Sequence, residues 1–144
     1  MKRPAGITIL GLLFLLTGGM GLLAPADRPL VFFGMLHTGR RALAMRLVPN
    51  LGRLYVGLGL LKPFRHIWYL YIIGACIGIG SLSVNLAHET KLWELYLRLE
   101  SRPEAIPRLV QFTIETHYLF IAIYALTAMY VYLQKNYFWG DDNL

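Results

Sequence analysis

The sequence predicts an all-α integral membrane protein, a four-helix transmembrane bundle with two amphipathic interfacial segments. Three apolar runs free of Asp, Glu, Lys and Arg carry that prediction: Ile7–Ala24 with 18 residues, Ile67–Ala87 with 21 and Thr116–Gln134 with 19. A bilayer core is crossed by about 20 apolar residues of helix. In lipid, moreover, only a helix satisfies its own backbone donors and acceptors within a single segment. The composition agrees, with 56% hydrophobic and 15% charged residues and a mean hydropathy of +0.50.

A chain of 144 residues has room for one domain, with spans at about 6–24, 44–62, 66–87 and 114–134. No stretch between them is long enough to bury a water-soluble core of its own. The net charge of +6 points to anionic lipid headgroups as partners. It does not point to nucleic acid, because the basic residues are scattered and flank apolar segments. Cys76 is the single cysteine and sits mid-span, so no internal disulfide can form.

The first span begins at Pro4-Ala5-Gly6, where proline suits a helix's first turn, and stops at Ala24-Pro25. Lys2, Arg3 and the Ala24-Pro25-Ala26 motif imitate a secretory signal, but the uncharged run exceeds a signal peptide's apolar core. The segment is therefore expected to stay as a helix. Thr17 and Gly21 form a small-xxx-small pair, widened by Gly18 and Gly19, that permits close helix approach.

The apolar stretch Leu30–Leu36 is too short to cross. It reads as a membrane-surface helix, with Phe32, Phe33, Met35 and Leu36 in the acyl boundary. His37, Arg40, Arg41, Arg46 and Arg53 follow, interrupted by Pro49. Arg40, Arg41 and Arg46 form a candidate site for an anionic headgroup, or more simply an electrostatic anchor. The second span is the weakest, because only Leu54–Leu61 is free of charge. A basic turn, Lys62-Pro63-Phe64-Arg65-His66, leads out of it.

The third span carries the clearest packing pattern. Gly74 and Gly78 form G-x-x-x-G, continued at helical spacing by Ser81 and Asn85. Cys76, Gly80, Ser83 and Ala87 form a second small stripe about 70° around the helix, taking about 100° per residue. Two such stripes are expected to touch two neighbouring helices. Asn85 is expected to point inward, since an amide facing lipid is costly.

Residues 88–108 read as an amphipathic helix and loop, with Leu92, Leu95, Tyr96 and Leu99 at i, i+3, i+4 and i+7. Glu94 and Arg98 pair on another face, and Pro103 and Pro107 terminate the segment. Tyr118 at one end of the last span, and Tyr132 to Trp139 at the other, match the two aromatic belts of a bilayer. Asp141 and Asp142 lie in a polar tail. Placing Lys2, Arg3, Lys62, Arg65 and Lys135 on one side favours both termini in the cytoplasm.

Two further constellations stand out. In antiparallel third and fourth spans, His88 and His117 fall near one membrane face, where paired imidazoles could ligate haem b. Plain span-end histidines are the simpler reading. Arg53 and Glu115 could form an intramembrane ion pair, structural or part of a proton or ion path in a small transporter. Enzyme signatures are missing: no H-E-x-x-H, no G-x-S-x-G and no glycine-rich phosphate loop. No metal site is expected. The functional expectation is a non-catalytic accessory or scaffold subunit that packs against other membrane subunits or against its own copies.

Lys2-Arg3-Pro4-Ala5-Gly6-Ile7-Thr8-Ile9-Leu10, followed by Leu15-Leu16-Thr17-Gly18-Gly19, resembles the opening of a broad group of small, uncharacterised prokaryotic membrane proteins. Gly57-Leu58-Gly59-Leu60-Leu61-Lys62-Pro63-Phe64-Arg65 resembles that group's second-span exit. Tyr132-Leu133-Gln134-Lys135-Asn136-Tyr137-Phe138 resembles its closing segment. The resemblance implies a multi-pass protein of the prokaryotic plasma membrane, with four spans and both termini cytoplasmic. It transfers no activity and no site residues, and segments 27–53 and 88–108 depart from it.

Overall fold

The computed structural model describes residues 3–25, 28–62, 64–100 and 102–139. Lys2, Ala26, Pro63, Asp141 and Asp142, named above, lie outside these. Helix α1 (Ala5–Leu23) precedes a hairpin of β1 (Leu30–Phe32) and β2 (Met35–His37). The helices α2 (Gly39–Leu61), α3 (Arg65–Ala87) and α4 (Glu89–Leu99) follow. A 3₁₀ turn (Pro103–Ala105) leads into α5 (Ile106–Leu133), and a short α6 (Lys135–Trp139) closes the order.

Among the described residues, three helices are long and apolar enough to cross a membrane: Ala5–Leu23, Arg65–Ala87 and Pro103–Leu133. In α1 one broad apolar face points outward, while Ile7, Leu10 and Phe14 pack on the core. Ile9, Leu12, Leu13, Leu16 and Met20 are exposed, and the buried positions are Ile7, Gly11 and Gly18. In water such a surface would be a large apolar patch; in lipid it meets like solvent. Helix α2 is as long as α3 at 23 residues, but Arg40, Arg41, Arg46 and Arg53 keep it out of that set.

The chain divides into two compact units. The first comprises Met1–Ala24, Arg46–Ala75 and Leu126–Leu144. Its core draws Ile7 from α1, Val56 and Leu60 from α2, and Ile67, Trp68 and Tyr71 from α3. Val131 of α5 and Tyr137 and Phe138 of α6 complete it. Helices α1 and α2 run antiparallel, with Gly11 beside Gly57 and Leu61, and Gly18 beside Asn50 and Leu54. Two buried polar groups of this core find acceptors on helix-end carbonyls. The Trp68 indole N–H donates to Val131 O at 3.1 Å, and the Tyr137 hydroxyl donates to Leu60 O at 3.3 Å.

The second unit comprises Pro25–Met45 and Cys76–Ala125. Leu92 of α4 packs with Ile106 and Val110 of α5, flanked by Val31, Tyr96 and Ile114. The Tyr96 and Thr113 hydroxyls share a hydrogen bond of 2.5 Å. Helix α4 carries Glu89 in its first turn and Arg98 in its last, charges that complement the helix dipole. Lys91 and Glu94 add an exposed ion pair at 2.6 Å.

Several expectations are corrected. Leu30–Leu36 is an antiparallel hairpin, pairing Leu30 with His37, Val31 with Leu36 and Phe32 with Met35, not a surface helix. Both turn residues have positive φ, +48° at Phe33 and +68° at Gly34, as the two-residue turns that match strand twist require. A run of seven apolar residues fits strand as well as helix, and glycine with β-branched and aromatic neighbours tips it to strand. Pro49 lies inside α2 and does not break it. Pro103 and Pro107 do not terminate a helix: they lie in the first turns of the next element, where proline's missing N–H is no loss. The last long helix therefore starts well before the expected position 114.

Candidate functional site

The chemistry-bearing side chains of the second unit converge on the hairpin turn. Ser81 and Asn85 sit one helical turn apart near the end of α3, so both project from one face. Each is only 4% exposed. Ser81 Oγ accepts the Phe33 N–H at 3.2 Å, and Asn85 Oδ1 accepts the Gly34 N–H at 2.8 Å. The Asn85 amide nitrogen donates to Val31 O at 3.3 Å and, through a long contact of 3.5 Å, to His117 Nε2. His117 Nδ1 in turn donates to Thr113 O at 2.8 Å. The two N–H groups of the turn thus find acceptors on α3, and Asn85 ties the hairpin to α5.

Phe33 is a bulky residue at positive φ, a conformation that costs about 1–3 kcal/mol and persists only when its surroundings fix it. The Ser81 bond and an edge-on contact with Phe32, ring centroids 4.9 Å apart, supply that fixing. Gly34 has a second constraint, because a Cβ there would come within 2.9 Å of His88 Nδ1.

The predicted packing stripe splits into three uses. Gly78 lies under the Tyr124 ring, 3.2 Å from where its Cβ would be, while Gly74 is exposed with nothing within 4 Å. Ser81 and Asn85 hold the hairpin turn and not a neighbouring helix. Of the second stripe, Cys76, Ser83 and Ala87 are exposed and Gly80 lies near the Phe33 ring.

His88 and His117 share one device. Each places Nδ1 on the carbonyl four residues earlier, Val84 O at 3.0 Å and Thr113 O at 2.8 Å. His117 Nε2 is the atom that meets Asn85. Among the described residues no group of three or more His, Cys, Asp or Glu is placed to hold a metal ion.

Arg53 and Glu115 fall in different units. Arg53 Nη1 donates to Asn50 Oδ1 at 2.9 Å, and exposed Glu115 accepts from Gln111 at 2.9 Å. Arg40 and Arg41 are exposed in the first turn of α2, and Arg46 is half-buried.

Asn50 and Gly11, not singled out from sequence, matter as much. Asn50 is 4% exposed, and Gly18 and Gly21 leave room for it. Gly11 and Gly57 form a close backbone crossing, each facing the other's carbonyl oxygen. The available signals were the seven-residue spacing of Gly11 and Gly18 and a lone asparagine in an apolar stretch.

The fold and this polar network define a class: a predominantly helical chain with three helices able to cross a membrane and a hairpin pinned to one of them. The chain matches no family model, no curated protein and no solved structure.

Proposed function

We propose that this chain is a multi-pass protein of the cell membrane, with α2 as a fourth span, acting as a non-catalytic accessory or scaffold subunit. It lays the open side of α3 against a helix of another subunit or of a second copy. The observation that carries this reading is the open side of α3 at Gly74. Gly6, Gly11, Gly18, Gly21, Gly57, Gly59 and Gly78 lie against atoms of their own chain, whereas Gly74 in mid-α3, like Gly19, Gly39 and Gly52 elsewhere, meets nothing within 4 Å. Ile73, Cys76 and Ile77 beside it are exposed, and a small residue among exposed apolar ones suits close helix approach in lipid. The polar groups around the turn support the same reading, because Ser81, Asn85 and His117 place their hydrogen bonds on backbone and on each other.

The expected result is that Gly74→Leu, in full-length protein from native membranes, abolishes co-purification with the partner or with a differently tagged copy. The detergent melting temperature should stay unchanged, and Gly19→Leu, also in open space, should have no effect. Intact assembly in the Gly74→Leu protein overturns the proposal.

A haem b reading draws on the shared orientation of His88 and His117, since ligating histidines commonly fix Nδ1 on a carbonyl. A Soret band in the purified protein, lost in His117→Ala, is its test.

A further inference from the structure

The hairpin turn lies deeper along α3 than a link between two spans requires. The charge-free runs of α3 and α5, Ile67–Ala87 and Thr116–Gln134, close level with each other, since Asn85 meets His117 there. That level marks one water boundary of a hydrocarbon core about 30 Å thick. Val31 packs on its outer side, against Leu92 of α4 and Ile106 and Val110 of α5. From Val31 the chain descends. The Gly34 N–H bonds to Asn85 and the Phe33 N–H to Ser81, while the Phe33 ring lies 3.7 Å from where a Cβ of Gly80 would be. Ser81 is six residues inside Ala87, about 9 Å of helix at 1.5 Å per residue.

The composition of the hairpin follows that depth. Pro29–Gly39 carries no Asp, Glu, Lys or Arg over eleven residues, and Arg28 and Arg40 stand at its two ends. Gly34 to Thr38, at about 3.3 Å per residue, spans about 13 Å, enough to bring the turn down from the headgroups. Lipid tolerates non-helical backbone only where protein covers its polar groups. Ser81 and Asn85 accept both turn N–H groups, and the Asn85 amide donates to Val31 O. A turn in water needs no such acceptors, because water supplies them. The side chains left open at the turn are apolar, Phe33 at 38% and Met35 at 59% exposure.

We propose that the hairpin is a re-entrant element that dips into one leaflet and sets Phe33 and Met35 against lipid acyl chains. Lipid is the occupant because these side chains lie beside stretches of α3 and α5 that are themselves free of charge. The positive φ of Phe33 then has a use, since it turns a large ring outward at the deepest point of the turn. The proposal rests on α3 and α5 being spans, and not on what docks at Gly74.

The test places one spin-labelled cysteine at a time in full-length Cys76→Ser protein in phosphatidylcholine vesicles. Collisions with oxygen, which concentrates in hydrocarbon, and with a water-soluble nickel chelate then report what surrounds each label. Leu126→Cys in mid-run on α5 is the lipid standard, and Arg108→Cys, at an exposed position before that run, is the water standard. Labels at Phe33→Cys and at Met35→Cys should match Leu126→Cys, with frequent oxygen collisions and a loss of nickel collisions. Thr38→Cys, exposed at the mouth of the hairpin, should keep its nickel collisions. Nickel access at Met35→Cys equal to that at Arg108→Cys puts the turn in water and overturns the proposal. Loss of both collisions at Met35→Cys means that protein covers the turn, and overturns it as well. Nickel access at Leu126→Cys removes the span reading of α5, and the proposal falls with it.

Discussion

Asn85→Leu is expected to release the hairpin from α3 and to destabilise the protein by about 3 kcal/mol or more. One side chain serves three partners: the Gly34 N–H, the Val31 carbonyl and His117 Nε2. Leucine fills similar volume but offers no hydrogen bond, so the buried Gly34 N–H and the half-buried Val31 carbonyl and His117 ring each lose theirs. A buried group left unsatisfied costs about 1–3 kcal/mol, and in lipid no water replaces the missing partner. Ser81→Ala removes a single bond, to the Phe33 N–H, and should cost about 1 kcal/mol. Amide hydrogen exchange reads the effect locally. The Gly34 amide should lose protection in Asn85→Leu, while amides in mid-α1 stay protected. Wild-type protection of Gly34 in that variant would show that the turn is held by something other than Asn85.

Asn85 also shows how far the sequence could be read. An amide in an apolar helix must turn inward because hydrocarbon offers it no hydrogen bond, and Asn85 is buried. What it meets is a different matter. Helical periodicity states which residues share a face, and Gly74, Gly78, Ser81 and Asn85 do share one. It does not state whether a helix, a ring or a turn covers that face, and here the answer changes along its length. The hairpin escaped notice because seven apolar residues carry no decisive period, and because Phe33 at positive φ is a poor local choice that only the tertiary contacts maintain. Pro103 and Pro107 were legible as punctuation, but proline marks helix starts as well as stops. The three long apolar helices were plain, since their length and lack of charge are set by the solvent they meet and not by a neighbour.

The glycine crossing of α1 and α2 depends on a neighbour entirely, and it gives the second large effect. A Cβ at Gly57 would sit 3.0 Å from Gly11 O and 3.0 Å from both the backbone nitrogen and the Cγ of Leu15. A Cβ at Gly11 would meet Gly57 O at 3.1 Å. Backbone atoms on both sides cannot swing away as a side-chain tip can, so even one methyl group must push the helices apart. Gly57→Ala should cost about 1–3 kcal/mol as overpacking, and Gly57→Leu more, since a whole side chain must enter the gap. Gly52 lies on the same helix with nothing within 4 Å. There alanine should be neutral or stabilising by up to about 1 kcal/mol, from helix propensity alone. Thermal melts of Gly57→Ala and Gly52→Ala in one detergent separate crowding from any general intolerance of α2 to substitution. Equal melting temperatures would mean that the two helices do not cross at Gly11 and Gly57. A lower one for Gly57→Ala, partly recovered when Leu15 is trimmed to alanine in the same chain, would place the contact there.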